Sequence, residues 1–339
     1  MDFSTTEDRK HLIVGVGQAG LYIVDKFEKS YTANLKDIKG FFEPEFFYID
    51  SHIGIADELG LLEDTRFIKI QGTDGGGGDR EYMLPFSKKF SDSFKGYLSK
   101  RKLHDNTLIT LVYSLGGTTG STTGPLLQQQ LTKDGYNVTS VVVGDESGSK
   151  EVKNNYRALM DLEDYASKDK VAYTVTYFKN SSHEEKDKKL TDISVNGYLT
   201  TMSAKLSDFN TDIDPKEMIN LYNPNSTEER RGAPGIYKIT FTRGIDEKRE
   251  GEMCTAFAVL KLPNQEVDIY ETGIKTIGSP VDDAVKKVFE VKGETLLPFY
   301  TSVFKDGFIN IGKVLDNKFD KADEEEAQAN VKKTSFKRR

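Results

Sequence analysis

Short apolar runs that each stop at glycine or a small polar residue constrain this chain more than any other feature. His11 to Val16 reads as a strand, and Leu21, Val24 and Phe27 then mark one face of a helix. Phe46 to Ile49, Phe67 to Ile70, Leu108 to Val112, Val138 to Val143 and Val171 to Phe178 read as further strands. Leu126, Leu127 and Leu131 place a helix after Pro125. Strand–helix alternation of this kind predicts an α/β fold, with a parallel sheet covered on both faces.

The strand ends carry the chemistry. They read Gly17-Gln18-Ala19-Gly20, Asp50-Ser51, Gly72 to Gly78, Tyr113 to Pro125, Gly144 to Ser147, and Asn180-Ser181-Ser182. In a parallel sheet the carboxyl ends of the strands share one edge, where ligands bind. Three glycine-rich loops on that edge exceed what turn-making requires. Glycine lets the backbone approach a ligand closely, and a helix start offers unpaired N–H groups to an anion. Residues 113–125, with their serine and threonine hydroxyls and no acidic group, suit phosphate.

A chain of 339 residues with 37% hydrophobic and 30% charged residues is long enough for two domains. Its net charge of −7 argues against general nucleic-acid affinity. The single cysteine, Cys254, sits in a strand-like run and reads as structural, which fits a reducing compartment. The polar, acidic start is no secretory leader, no run approaches membrane-spanning length, and the four histidines lack metal-ligand spacing. No membrane partner and no direct nucleic-acid partner are expected.

Lys186 to Lys205 predicts a long helix with Leu190, Ile193, Leu199 and Met202 available for burial. Tyr237 to Thr242, Cys254 to Leu262 and Val267 to Tyr270 predict strands of a smaller, mainly β, C-terminal domain, with a helix over Asp282 to Glu290. Phe308 to Phe319 reads as an amphipathic helix, followed by the acidic Asp323-Glu324-Glu325-Glu326 and a basic end. Charge runs at termini are usually solvated. The expected organisation is 1–182 nucleotide-binding, 183–208 central helix, 209–304 C-terminal domain, and 305–339 helix and charged tail.

The 113–125 loop is not a Walker P-loop, because no lysine lies between Tyr113 and Gln130. Gly15 to Gly20 fits a dinucleotide fingerprint by spacing, but the only acidic partner, Asp50, comes late. Gly116-Gly117-Thr118-Thr119-Gly120-Ser121 resembles the tubulin/FtsZ signature Gly-Gly-Gly-Thr-Gly-Ser/Thr. Val16 to Gly20 is similar to the first nucleotide loop of tubulins. Tyr113 to Gly117, Gly124 to Leu127 and Gly72 to Pro85 resemble the tubulins of large bacteriophages, the PhuZ group.

That resemblance implies a GTP-binding protein that polymerises head to tail. Gly17, Gln18, Ala19 and Gly20 would meet the phosphates and their Mg²⁺, which takes no direct protein ligand and lies near Gln18. Gly75, Gly76 and Gly77 would lie near the γ-phosphate. Gly116, Gly117, Thr118, Thr119, Gly120 and Ser121 would cradle the α- and β-phosphates. Asp145 or Glu146 would contact the ribose, and Asn180 and Asp192 the guanine. Asp214 and Glu217 match the family's catalytic loop, which reaches the nucleotide of the next subunit, and Asp212 stands where that loop often has asparagine. Helix capping is the alternative for these three acids.

Thr118 stands at the signature's third glycine, so its backbone must not need positive φ. Lys188 stands where an aromatic residue often stacks on the base. The implied setting is a filament in a bacterial host cytoplasm that positions phage DNA or its replication body, with lateral contacts through the tail and a cargo or adaptor as further partner. A plasmid-partition tubulin, a weakly hydrolysing nucleotide-bound polymer and an NAD(P) oxidoreductase are the other readings.

Overall fold

In chain order the elements are β1 (Lys10–Val16), α1 (Gly17–Asn34), β2 (Glu43–Asp50), α2 (Gly54–Glu58), β3 (Phe67–Lys69), α3 (Arg80–Ser99), β4 (Leu108–Ser114), α4 (Thr118–Lys133) and β5 (Asn137–Asp145). Then follow α5 (Ser149–Asp169), β6 (Ala172–Asn180), α6 (Glu185–Leu206), β7 (Gly235–Thr242), β8 (Cys254–Leu260), β9 (Gly273–Thr276), β10 (Phe299–Phe304) and α7 (Ile309–Phe336). The computed structural model describes residues 10–34, 43–99, 107–180, 182, 184–206, 219, 222–223, 234–242, 254–260, 273–276, 299–304 and 309–336. The expected strand Val267 to Tyr270 and helix Asp282 to Glu290 lie outside them.

One sheet runs in the order β3-β2-β1-β4-β5-β6-β7-β10-β8-β9. Neighbours from β3 to β6 are parallel, as the alternation predicts, whereas β7, expected in the C-terminal domain, joins the same sheet parallel to β6, and β10, β8 and β9 add antiparallel strands. Each central strand buries both faces. Ile13 and Val112 pack under α1 and α6, whereas Leu12, Val14, Leu111 and Tyr113 pack under α3, α4 and α5.

Three elements depart from the sequence pattern. First, α4 begins at Thr118 and runs through Pro125 instead of starting after it. Low helix propensity is overridden here by close packing. A Cβ on Gly120 would lie 2.5 Å from the Ser114 carbonyl oxygen, and one on Gly124 would lie 2.6 Å from the Tyr113 ring. Small residues let α4 lie against β4. Pro125 has no N–H to give the Ser121 carbonyl one turn earlier. The Arg80 guanidinium takes that oxygen at 2.8 Å and also pairs with Asp161. Arg80→Met is expected to cost about 2 kcal/mol by orphaning the carbonyl. In a Pro125→Ala background the restored N–H should reduce that cost. Equal costs in both backgrounds, by denaturant unfolding, would contradict this account.

Second, α6 forms, but Leu190 and Ile193 are 53% and 65% exposed. The buried residues are Val195, Tyr198, Leu199 and Met202. The helix starts outside the carboxyl edge of the sheet, so only its later turns lie over strands. Third, α7 continues past the acidic block to Phe336. Ala322 is buried, Asp323 pairs with Lys153 of α5, and Phe319 stacks on Tyr156 with centroids 5.1 Å apart.

His11 is buried beneath α6, with Nε2 2.8 Å from the Thr110 hydroxyl, which in turn donates to the Met202 sulfur. Burial pushes its pKa from 6.5 down to about 3. The unfolded chain therefore binds a proton over that window that the native chain refuses. The stability is complete above pH 6.5 and is lost as pH falls towards 3. From pH 7.5 to 5 the loss is roughly 2 kcal/mol. His11→Gln should flatten the pH dependence of unfolding by about that amount. An unchanged slope would contradict it.

Candidate functional site

The chain steps outward from β1 through β2 to β3, then returns to place β4 on the other side of β1. The helices after β1 and β4 therefore lie on opposite faces of the sheet, with a crevice at the carboxyl edge, where open α/β sheets take ligands. Gly17 begins α1 directly after β1, with φ +73°. A Cβ there would lie 2.9 Å from the Gly120 amide nitrogen, so the two helix starts touch. Neither α1 nor α4 has an acidic residue in its first turn. Two positive helix ends with unpaired N–H groups meet at the crevice, an arrangement that binds an anion.

Packing accounts for some of the glycines assigned to phosphate. A Cβ on Gly20 would lie 2.4 Å from the Val112 carbonyl oxygen, and Gly120 is held against Ser114. Gly117 is different. It caps α4 with φ −75° and ψ 163°, which any residue adopts, and a Cβ on it would meet nothing within 4 Å. Neither the backbone nor the packing asks for glycine there. Gly117, Gln18 and Gly77 are exposed, whereas Ser121 and Thr119 are buried and Ala19 is half-buried. Thr118 begins α4, and Lys170 is the one described non-glycine residue with positive φ.

The third glycine loop lies against the signature. A Cβ on Gly76 would fall 2.2 Å from the Thr118 methyl carbon. The carbonyls of Gly75, Gly76, Gly77 and Gly78 accept hydrogen bonds from the Thr73 hydroxyl (3.0 Å), the Asp79 amide (2.8 Å), Lys150 Nζ (2.6 Å) and Asn154 Nδ2 (3.3 Å). A peptide run whose carbonyls are held by the protein is left with its amides for another partner.

At the far end, Asp145 adjoins Gly116, and its Oδ1 accepts from the Ser147 amide and from Asn180 Nδ2 (3.3 Å). Asn180 is buried and its Oδ1 has no partner. The Glu146 side chain is 3% exposed and ion-paired with Lys179 and with Lys318 of α7. Asp192 pairs with Lys26 of α1 at 3.2 Å. Asp212, Asp214 and Glu217 lie outside the described residues.

Sequence reasoning placed Asp50 on the ligand edge without giving it a role, and did not single out Lys150 or Asn154, which reach the same loops. Asp50 is buried at the end of β2. Burial raises its pKa, against hydrogen bonds from the Ser51 and His52 amides and from Thr119 of the signature. Its Oδ2 has no partner. An acid closing a strand on the ligand edge was the available signal for Asp50. Paired asparagines in an amphipathic helix were the signal for Asn154.

No protein-family model matches the chain. A phage tubulin-like protein of Pseudomonas phage PhiPA3 is 29% identical over 115 residues, 34% of this chain and 35% of that protein. A phage tubulin-like protein of Pseudomonas phage phiKZ is 37% identical over 70 residues, 21% of each chain. The matched segments thus span about a third and a fifth of these relatives. Among solved structures, the phage tubulin PhuZ with GDP superposes with a TM-score of 0.68 at 15% identity, covering 95% of this chain and 93% of that one. A TubZ protofilament from bacteriophage PhiKZ gives 0.64 at 18% identity, covering 94% and 92%. The chain is similar in sequence to phage tubulin-like proteins over part of its length, and it has the phage-tubulin fold.

Proposed function

We propose that the chain is a phage tubulin-like GTPase that binds guanine nucleotide in the β1–β4 crevice and assembles head to tail into filaments. The observation that carries this reading is the meeting of two acid-free helix starts with a third loop whose Gly75 to Gly78 carbonyls are held, around the unexplained Gly117. The solved relatives include a PhuZ filament and a GDP complex, which support self-assembly and the nucleotide.

In this reading the signature and first loop hold the α- and β-phosphates, and Gly75 to Gly77 meet the third. Asp145 takes the ribose, while Asn180 and Asp192 serve the base. Asp50 Oδ2, a buried acceptor without a partner, and Gln18 would hold the water shell of a Mg²⁺ carried by the phosphates. When bound, the ion offsets phosphate charge. Asp214 and Glu217, with Asp212, polarise and orient the attacking water from a neighbouring subunit, so hydrolysis depends on assembly. The filament positions phage DNA or its replication body in the host cytoplasm, with the charged tail adding lateral contacts.

Light scattering with GTP, GDP and a slowly hydrolysed analogue, alongside phosphate release, tests this reading. Assembly with GTP and with the analogue is expected, together with phosphate release that appears only when filaments form. Glu217→Ala should assemble yet release phosphate at least about a hundredfold more slowly, the usual range for a positioned acid–base group. Unchanged release in that variant removes the catalytic assignment. Co-purification with NAD would overturn the nucleotide reading itself.

A further inference from the structure

α5 opens beside both glycine loops, and two of its side chains grip them. Asn154 is 4% exposed, and its amide nitrogen donates to Gly78 O at 3.3 Å and to Gly116 O at 2.9 Å. One side-chain amide thus ties the third loop to the signature loop. One turn earlier, Lys150 donates to Gly77 O at 2.6 Å, and its stem lies over Gly78, where a Cβ would fall 2.2 Å from the Lys150 Cε. Gly75, Gly77 and Gly78 all have positive φ. A glycine run loses more conformational freedom on ordering than any other sequence, roughly 1–2 kcal/mol per residue. Without outside ties, that cost falls on ligand binding.

We propose that Lys150 and Asn154 are positioning residues that hold the third glycine loop at a fixed distance from the signature, and so set the preference for nucleoside triphosphate over diphosphate. The proposal rests on the nucleotide reading above. A diphosphate held by the signature and first loop does not reach Gly75 to Gly78, so its binding is insensitive to how well that loop is ordered. A triphosphate needs the loop in place. Pre-ordering of the third loop by α5 therefore strengthens binding of the triphosphate alone, whereas the Asn154 bond to Gly116 serves both nucleotides.

The test titrates GDP and a slowly hydrolysed GTP analogue against the full chain, below the concentration at which it assembles. Lys150→Met removes one tie from an exposed position and is expected to lower analogue affinity about fivefold, with GDP affinity within about twofold. This is the scale of one lost hydrogen bond. Asn154→Ala should lower the analogue-to-GDP affinity ratio further, and Lys150→Arg, which keeps a donor, should preserve it. An unchanged ratio in Lys150→Met, or an equal loss of both nucleotides, overturns the proposal. Should Asn154→Ala fail to fold, Lys150→Met still decides. A parent chain that binds neither nucleotide overturns the reading of the site as well, which separates the two failures.

Discussion

Gly117→Ala is expected to fold as the parent chain does and to lose nucleotide affinity five- to hundredfold. Nothing in the protein stands within 4 Å of the new methyl, and φ −75° with ψ 163° is open to alanine. The folded state loses only a favoured helix cap, which puts the stability change at about 0.5 kcal/mol. The methyl instead occupies the space through which the α4 N-terminus reaches a phosphate. Overpacking of that kind costs about 1–3 kcal/mol, and here it falls on the complex alone. Calorimetric titration with GDP, beside a thermal melt, checks both halves. Unchanged affinity would mean that no ligand comes close to the α4 cap.

Gly20→Ala is expected to do the reverse. Gly20 lies in α1, where propensity by itself predicts a gain of about 1 kcal/mol for alanine. The packing predicts the opposite sign. A Cβ would lie 2.4 Å from the Val112 carbonyl oxygen and 3.1 Å from the Gly15 carbonyl carbon, both backbone atoms that cannot move aside alone. Separating α1 from β1 and β4 disturbs the centre of the sheet, and a net loss of roughly 3 kcal/mol is expected. Denaturant unfolding decides between the signs, and a stabilised Gly20→Ala would show that α1 shifts freely on the sheet. Two glycines of neighbouring loops thus separate folding from binding.

Much of this was legible in one dimension. Strands from His11 to Phe178 were marked by apolar runs, and a parallel sheet buried on both faces leaves few other positions for them. The glycine loops were visible because their clustering exceeds what turns need. The sequence did not separate glycines that packing requires from those it leaves open, since Gly20, Gly117 and Gly120 look alike until a Cβ is placed on each. Nor did it show where α4 starts, because threonine and glycine are poor helix formers in isolation and acceptable ones when pressed against β4.

Glu146 and Asp145 make the same point for the acids. They are adjacent in sequence, yet one is buried between Lys179 and Lys318 while the other adjoins Gly116. Lys318 follows Glu146 by 172 positions, a pairing that no local pattern announces. The same holds for Asn154, which joins loops that precede it by 76 and 38 residues.

The class of fold and the edge on which a ligand would sit were readable from the residues alone, because hydrophobic period and loop chemistry are local properties. Which atoms line that edge came only with the packed fold. The reversal of strand order at β1 opens the crevice, and that reversal depends on contacts between distant segments. Those contacts set which glycine is pressed by protein and which is left open.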